Sequence, residues 1–345
     1  MLPLGARRTF RLASVVALSL AFSYGIDMPL PFFAPLFAVL LTAAPAPPMG
    51  LKGLFGFGIV VIVTLGVGLL LTPLLGKYPA SALLIIAAGL YLSTIVSVGL
   101  RKGLVGSLLT MGFTLIPAAG LVEYALAVTL IKSLMLGIAF AIVSQWIVYP
   151  FFPEDPPGVA PAPPPPVDAV ETRWIALRCT LTVLVPVMMA FTNPALYLPT
   201  IMKSVLLAQQ GSAVSSRTAG REMLYAIFFA GLAAILFWFA LKVCPNLWIF
   251  FLLMLLFGIY VAARMYGIVA NRWSPAFWPD VFVNLLILLG PAVEDSANGK
   301  DVYKAFAVRF CLFVAVTLYA WFAMAALEWL RGRGQKATPI PEAAG

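Results

Sequence analysis

Apolar runs long enough to cross a bilayer follow one another along almost the whole chain, parted only by short polar breaks. A spanning helix needs about 20 apolar residues, and a water-soluble core of this size cannot hide so many such runs. Composition agrees: 62% of the 345 residues are hydrophobic and 10% are charged, whereas a soluble domain is about half apolar and about a quarter charged. The fold this predicts is all-α and integral to the membrane. Spans are expected over 11–26, 31–49, 54–72, 80–99, 103–119 and 122–149, and again over 174–192, 195–209, 222–241, 247–268, 276–291 and 303–330. The second and eighth are short for a full crossing, which predicts tilted, broken or re-entrant segments there.

The formal charge of +9 is not a nucleic-acid footprint, because the basic residues sit at helix ends and form no stripe. With the N-terminus placed in the cytoplasm, that side receives Arg7, Arg8, Arg11, Lys52, Arg101, Lys102, Arg173, Arg178, Arg217, Arg221, Arg264, Arg272, Arg331, Arg333 and Lys336. The other side receives Lys77, Lys242, Lys300 and Lys304. This bias puts both termini of a multi-pass membrane protein in the cytoplasm. The acidic segment from Glu294 and Asp295 to Asp301 then falls in an outer loop. Arg7-Arg8-Thr9-Phe10-Arg11 also resembles a twin-arginine export signal, but the many later spans favour a cytoplasmic anchor.

The chain divides into a first six-helix repeat (1–150), a linker (151–171), a second six-helix repeat (172–332) and a disordered cytoplasmic tail (333–345). The linker holds Pro153, Pro156, Pro157, Pro161 and Pro163 to Pro166, a density that forbids helix and favours extended polyproline II. A semi-rigid tether is the first reading and a ligand for a proline-binding domain the second. The halves echo each other. Asp27 and Pro29 precede Phe33-Ala34-Pro35-Leu36, as Asn193 and Pro194 precede Tyr197-Leu198-Pro199-Thr200. Arg101 matches Arg264, Pro117 matches Pro291, and Lys132 matches Arg309. With an even number of spans per half the repeats are parallel, about an axis along the membrane normal.

Histidine is absent, which removes the commonest metal ligand and the commonest general base near neutral pH. Cys179, Cys244 and Cys311 stand far apart without metal spacing and read as small core residues. No Walker sequence is present, so the chain is not expected to hydrolyse ATP itself. No enzyme chemistry, cofactor or metal site is expected.

Ionisable residues inside a span cost roughly 2.5–3.5 kcal/mol on insertion scales and usually face a cavity or a partner. Lys132 lies deep in the sixth span and Arg309 less deep in the twelfth. The functional reading is a pair of cationic sites for an anion. The structural one is an internal ion pair or a charge satisfied by carbonyl groups. Lys203, in the short eighth span, joins them as a third candidate for substrate binding. Asp280, at the start of the eleventh span with Asn284 a turn further on, is the candidate for proton coupling, although an Asp there also suits the helix dipole. Asp27 and Glu123 are expected to be solvated. Phe32, Phe33 and Tyr197 beside the broken turns are expected to pack in the core or against lipid, and Gly66, Gly68, Gly103 and Gly106 to let helices approach closely.

Two stretches carry a family resemblance. The basic start Arg7-Arg8 to Arg11-Leu12-Ala13, leading to Pro31-Phe32-Phe33-Ala34-Pro35-Leu36, resembles the opening of the fusaric acid resistance and aromatic acid exporter families. Leu130-Ile131-Lys132-Ser133-Leu134-Met135-Leu136-Gly137-Ile138-Ala139 resembles their last helix per half. The resemblance spans roughly 7–330 and points to a compact branch of unassigned members. It departs from those exporters in having Lys132 where Arg is usual, and only the proline-rich linker where they carry a cytoplasmic domain. It implies proton-driven export of aromatic carboxylates, a periplasmic adaptor (membrane fusion) protein as partner, and an oligomer. A passive anion channel, similar in plan to the plant malate channels, and a non-transporting scaffold are the alternatives.

Overall fold

The computed structural model describes residues 2–44, 46–155, 168–193, 217–297, 299 and 301–336. Among these the chain is helical and has no strand. Its helices are α1 (Leu4–Gly25), α2 (Phe33–Thr42), α3 (Leu51–Lys77), α4 (Pro79–Thr94), α5 (Gly103–Val122), α6 (Tyr124–Val148), α7 (Ala169–Thr192), α8 (Arg217–Val243), α9 (Leu247–Met265), α10 (Phe277–Ala297) and α11 (Val302–Lys336). Nine described helices, α3 to α11, are long and apolar enough to cross a membrane. α1 is long enough but is diluted by Arg7, Arg8, Arg11 and its serines. The expected eighth span, most of the proline-rich linker and residues 337–345 of the tail lie outside the described residues. α7 begins inside the expected linker, and α11 runs on through the first residues of the expected tail.

α2 has ten residues, which make about 15 Å of helix, half of a hydrocarbon layer of about 30 Å. It is almost wholly buried: Phe33, Leu36 and Phe37 are each 1% exposed or less. The turn before it is tight, with Asp27 and Leu30 at φ 51° and 53°. Phe33 N–H donates to Leu30 O and Ala34 N–H to Pro31 O, each at 3.3 Å. Irregular backbone at membrane depth survives only when it is covered by protein, and here α6 and α10 cover it. Gly137 of α6 lies against Phe33 and Ala34, and Gly290 of α10 against Phe32.

Small residues set the closest crossings. A Cβ on Gly68 of α3 would strike the Gly112 carbonyl oxygen of α5, and one on Gly106 would strike Ser93 and Ser97. Gly66 has open space beside it and Gly103 nearly so, so only one glycine of each expected pair permits close packing. α4 ends in a π-helical turn, Ile95–Gly99, beside which Ser93 Oγ and Thr110 Oγ1 bond at 2.9 Å. Cys179 is buried, whereas Cys244 and Cys311 face outward. Cys311 is on a helix surface and Cys244 in the turn between α8 and α9, and neither is in the core.

Packing partners recur at a shift of one half. α3 packs on α5, and α8 on α10. α1 packs on α6, and α7 on α11. Across the halves, α1 packs on α9 and α7 on α4. α1 and α9 run antiparallel, Gly5 lying against Tyr266 and Ile268 and Gly25 against Leu247. One end of the bundle therefore carries Arg7 and Arg264, and the opposite end carries Tyr24.

At the basic end ion pairs tie the first helix of the first half to the segment just after its last helix, and the first helix of the second half to its last. Arg8 Nε and Arg11 Nη2 donate to Glu154 at 2.7 Å each, and Arg7 pairs with Asp155 at 2.5 Å. In the second half Arg178 pairs with Glu328 at 2.5 Å and Arg331 with Glu171 at 2.6 Å. Burial opposes the charge on Glu154, but hydrogen bonds from Arg8 and Arg11, and their positive charge, outweigh it and hold the carboxyl below the usual range. Nearby, burial pushes the Tyr266 phenol up to about 12 against the opposing charge of Arg11 and Arg8. Its hydroxyl donates to Ala43 O at 3.1 Å, fastening α9 to the end of α2.

Candidate functional site

At the Tyr24 end, five helices leave a cavity of about 750 Å³. Its walls are apolar and aromatic, with Tyr24 from α1, Trp238 and Leu241 from α8, Phe250 from α9, and Val293 from α10. Two helix caps shape the mouth. Asn246 Oδ1 accepts Trp248 N–H at 3.0 Å and caps α9. Asp301 Oδ1 accepts the N–H groups of Tyr303 and Lys304 at 3.1 and 3.2 Å and caps α11. Side-chain caps of this kind stop helices at defined residues, so both loops end at the rim. Lys242, at the same rim, donates to Tyr303 Oη at 3.5 Å and lies 5.8 Å from that ring's centre. The Tyr24 hydroxyl and the Trp238 indole N–H are buried with no hydrogen-bond partner among the described residues. Tyr24 meets Phe250 edge-on at 5.2 Å.

Behind this wall lies a charged cluster. Arg309, on the second turn of α11, makes a close ion pair with Asp295 on the last turns of α10. Asp295 is buried. Its neighbour Glu294 has a buried Oε1 that accepts no hydrogen bond among the described residues, and Arg309 Nη1 is likewise buried with no acceptor. Asp295 and Arg309 act electrostatically on Glu294, and Glu294 in turn acts on the Tyr24 hydroxyl. Carboxylates near a helix C-terminus oppose the helix dipole, so this placement needs the guanidinium beside it. Val293 and Ser296, on either side of the two acids, line the cavity.

Of the residues singled out in the sequence, the structure brings Arg309 into this cluster. Lys132 lies on an exposed face of α6 with Leu136, and no described carboxylate pairs with it. α6 and α11 are not among the helix pairs that pack closely, so nothing joins Lys132 to Arg309. Lys203 lies outside the described residues. Asp280 is half-buried in the first turn of α10, fourteen residues and so about 21 Å of helix from Glu294. Asp27 and Glu123 are exposed, and Phe32 and Phe33 are core residues stacked at 4.6 Å.

The sequence reading missed Tyr24, Trp238, Glu294 and Asp295. It ended the eleventh span at Pro291 and left the two acids in an outer loop. α10 instead carries Pro291 within it and continues to Ala297, which a membrane helix tolerates when its neighbours cover the freed carbonyl. A usable signal was present: two acids just beyond one apolar run and an arginine just inside the next sit face to face once a short turn joins the helices.

Residues 8–148 match a family described as Protein of unknown function (DUF2955). No curated protein and no solved structure matches the chain. The matched residues run from the arginine cluster of α1 to the end of α6, so this multi-span helical membrane protein is similar over its first half to a family whose activity is not described.

Proposed function

We propose that the chain is a proton-linked secondary transporter of small organic anions, with aromatic carboxylates as the substrate class. The observation that carries this is the cavity of about 750 Å³ at the Tyr24 end. Sites for small molecules are mostly apolar clefts with a few placed polar groups. This one offers ring-sized apolar walls, the tips of Tyr24 and Trp238, and Lys242 at the rim, with Arg309 behind. A carboxylate takes a guanidinium edge or an ammonium, and its ring takes the aromatic wall.

The recurrence of packing partners and of arginine–glutamate pairs supports two parallel six-helix repeats that rock against each other. The family resemblance supplies the direction, export from a bacterial cytoplasm across the inner membrane, and a periplasmic adaptor as partner, and the bias of basic residues puts both termini inside. Lys132 is then the second cation of the path, and its outward face the place to test that role.

The test is uptake of labelled 4-hydroxybenzoate into proteoliposomes, with and without a pH gradient, by wild type, Trp238→Ala, Lys242→Ala and Lys132→Ala. Gradient-dependent uptake that falls at least about tenfold, or about 1.4 kcal/mol, in the Trp238 and Lys242 variants supports the reading. Uptake that ignores protons and follows voltage makes the protein a channel. Full uptake by both cavity variants removes the site.

A further inference from the structure

We propose that Glu294 is the proton-carrying carboxyl of this cavity, in place of Asp280. The argument is one of charge balance in a confined place. α10 presents two adjacent carboxyl groups, and α11 answers with one guanidinium. Arg309 spends its Nη2 on Asp295, and that pair is close to neutral. The second carboxyl, Glu294, is half-buried, and one of its oxygens is buried and accepts no hydrogen bond among the described residues. An unpaired carboxylate in such a place costs several kcal/mol, and a carboxyl group meets that cost most simply by holding a proton.

The groups around Glu294 leave few other ways to satisfy it. α1 offers the Tyr24 hydroxyl, buried and without a partner among the described residues, and α11 offers Arg309; Lys242, Asp301 and Tyr303 stand beyond them on the cavity lining. α2 and α9 bring no titratable side chain to this end. Val293, Ser296 and Tyr24 line the cavity, so Glu294 stands directly behind the wall of the space that would hold the anion. With Glu294 protonated, the Nη1 edge of Arg309, buried and without an acceptor among the described residues, has no second carboxylate competing for it. With Glu294 ionised, that edge is contested and the cluster carries a net negative charge. Proton and anion binding are therefore coupled, each altering the affinity for the other by the same factor.

This rests on the transport reading for its consequence, so the test reads the proton directly. The full-length protein is reconstituted in lipid, and infrared difference spectra are taken between about pH 5 and about pH 9, with 4-hydroxybenzoate uptake measured in parallel. Wild type is expected to show a titrating carboxylic-acid carbonyl band that Glu294→Gln loses and Asp280→Asn keeps. Gradient-dependent uptake is expected to vanish with it in Glu294→Gln. Unchanged helicity and elution exclude misfolding, and Asp295→Asn serves as a second variant that should keep the band. If Glu294→Gln retains either the band or the gradient response, the inference is overturned. If the band is lost in Glu294→Gln but no preparation takes up the anion, the proton site stands and the transport reading falls.

Discussion

Arg309 and Lys132 occupy matching places in the two halves of the sequence, yet removing them should have opposite structural effects. Arg309→Ala takes the guanidinium away from the buried Asp295, and breaking such a pair costs roughly 3–5 kcal/mol. Thermal unfolding in detergent should show a markedly lower midpoint, largely recovered when Asp295→Asn is added. Lys132 is exposed and has no described ion-pair partner, so Lys132→Ala strands no opposite charge and should not lower the midpoint, since it removes a charge from a spanning helix. A loss of transport in the Lys132 variant would then report on function, whereas the same loss in Arg309→Ala would have to be corrected for folding.

Between helices, the closest crossing and the basic-end ion pairs make separate predictions. Gly68→Ala pushes a methyl group into the Gly112 carbonyl, backbone against backbone, and should cost about 1–3 kcal/mol. Gly66→Ala, with open space beside it, should be neutral in the same unfolding assay. At the other contact, the folded protein holds the Glu154 carboxyl below its ordinary value of 4.5. A group lowered in this way stabilises the fold above its unfolded pKa, and that stability is lost as pH falls through the folded pKa. Acidification below the usual carboxylate range should therefore lower the melting midpoint of wild type more than that of Glu154→Gln. The helices themselves were largely legible from sequence, because a run of about 20 apolar residues has few alternatives. The short α2 could be foreseen from its length and prolines. What could not be read was which side of a helix faces a neighbour. Pattern searching has little to work on when lipid and core are equally apolar, which is why Lys132 and Arg309 looked alike and Cys244 and Cys311 looked buried. The cavity was illegible for a related reason: its walls come from α1 and from α8 to α11, and no local stretch records that meeting.

Over the whole molecule the halves are held together chiefly by α1 on α9 and α7 on α4. The pair Gly25→Cys and Leu247→Cys, whose positions face each other at that contact, should cross-link within one chain under mild oxidation when Cys179, Cys244 and Cys311 are replaced by Ser. Failure to cross-link in a folded preparation would show that the two helices are apart in the membrane. The contact between α1 and α9 also bears on how the protein is made. α1 leaves the ribosome first, and its partner follows more than two hundred residues later, on the order of tens of seconds at ordinary synthesis rates. In water an apolar helix face left open for that time would invite aggregation. In lipid it is covered by acyl chains as apolar as its eventual neighbour, so the earliest helix can wait and become the last to be enclosed.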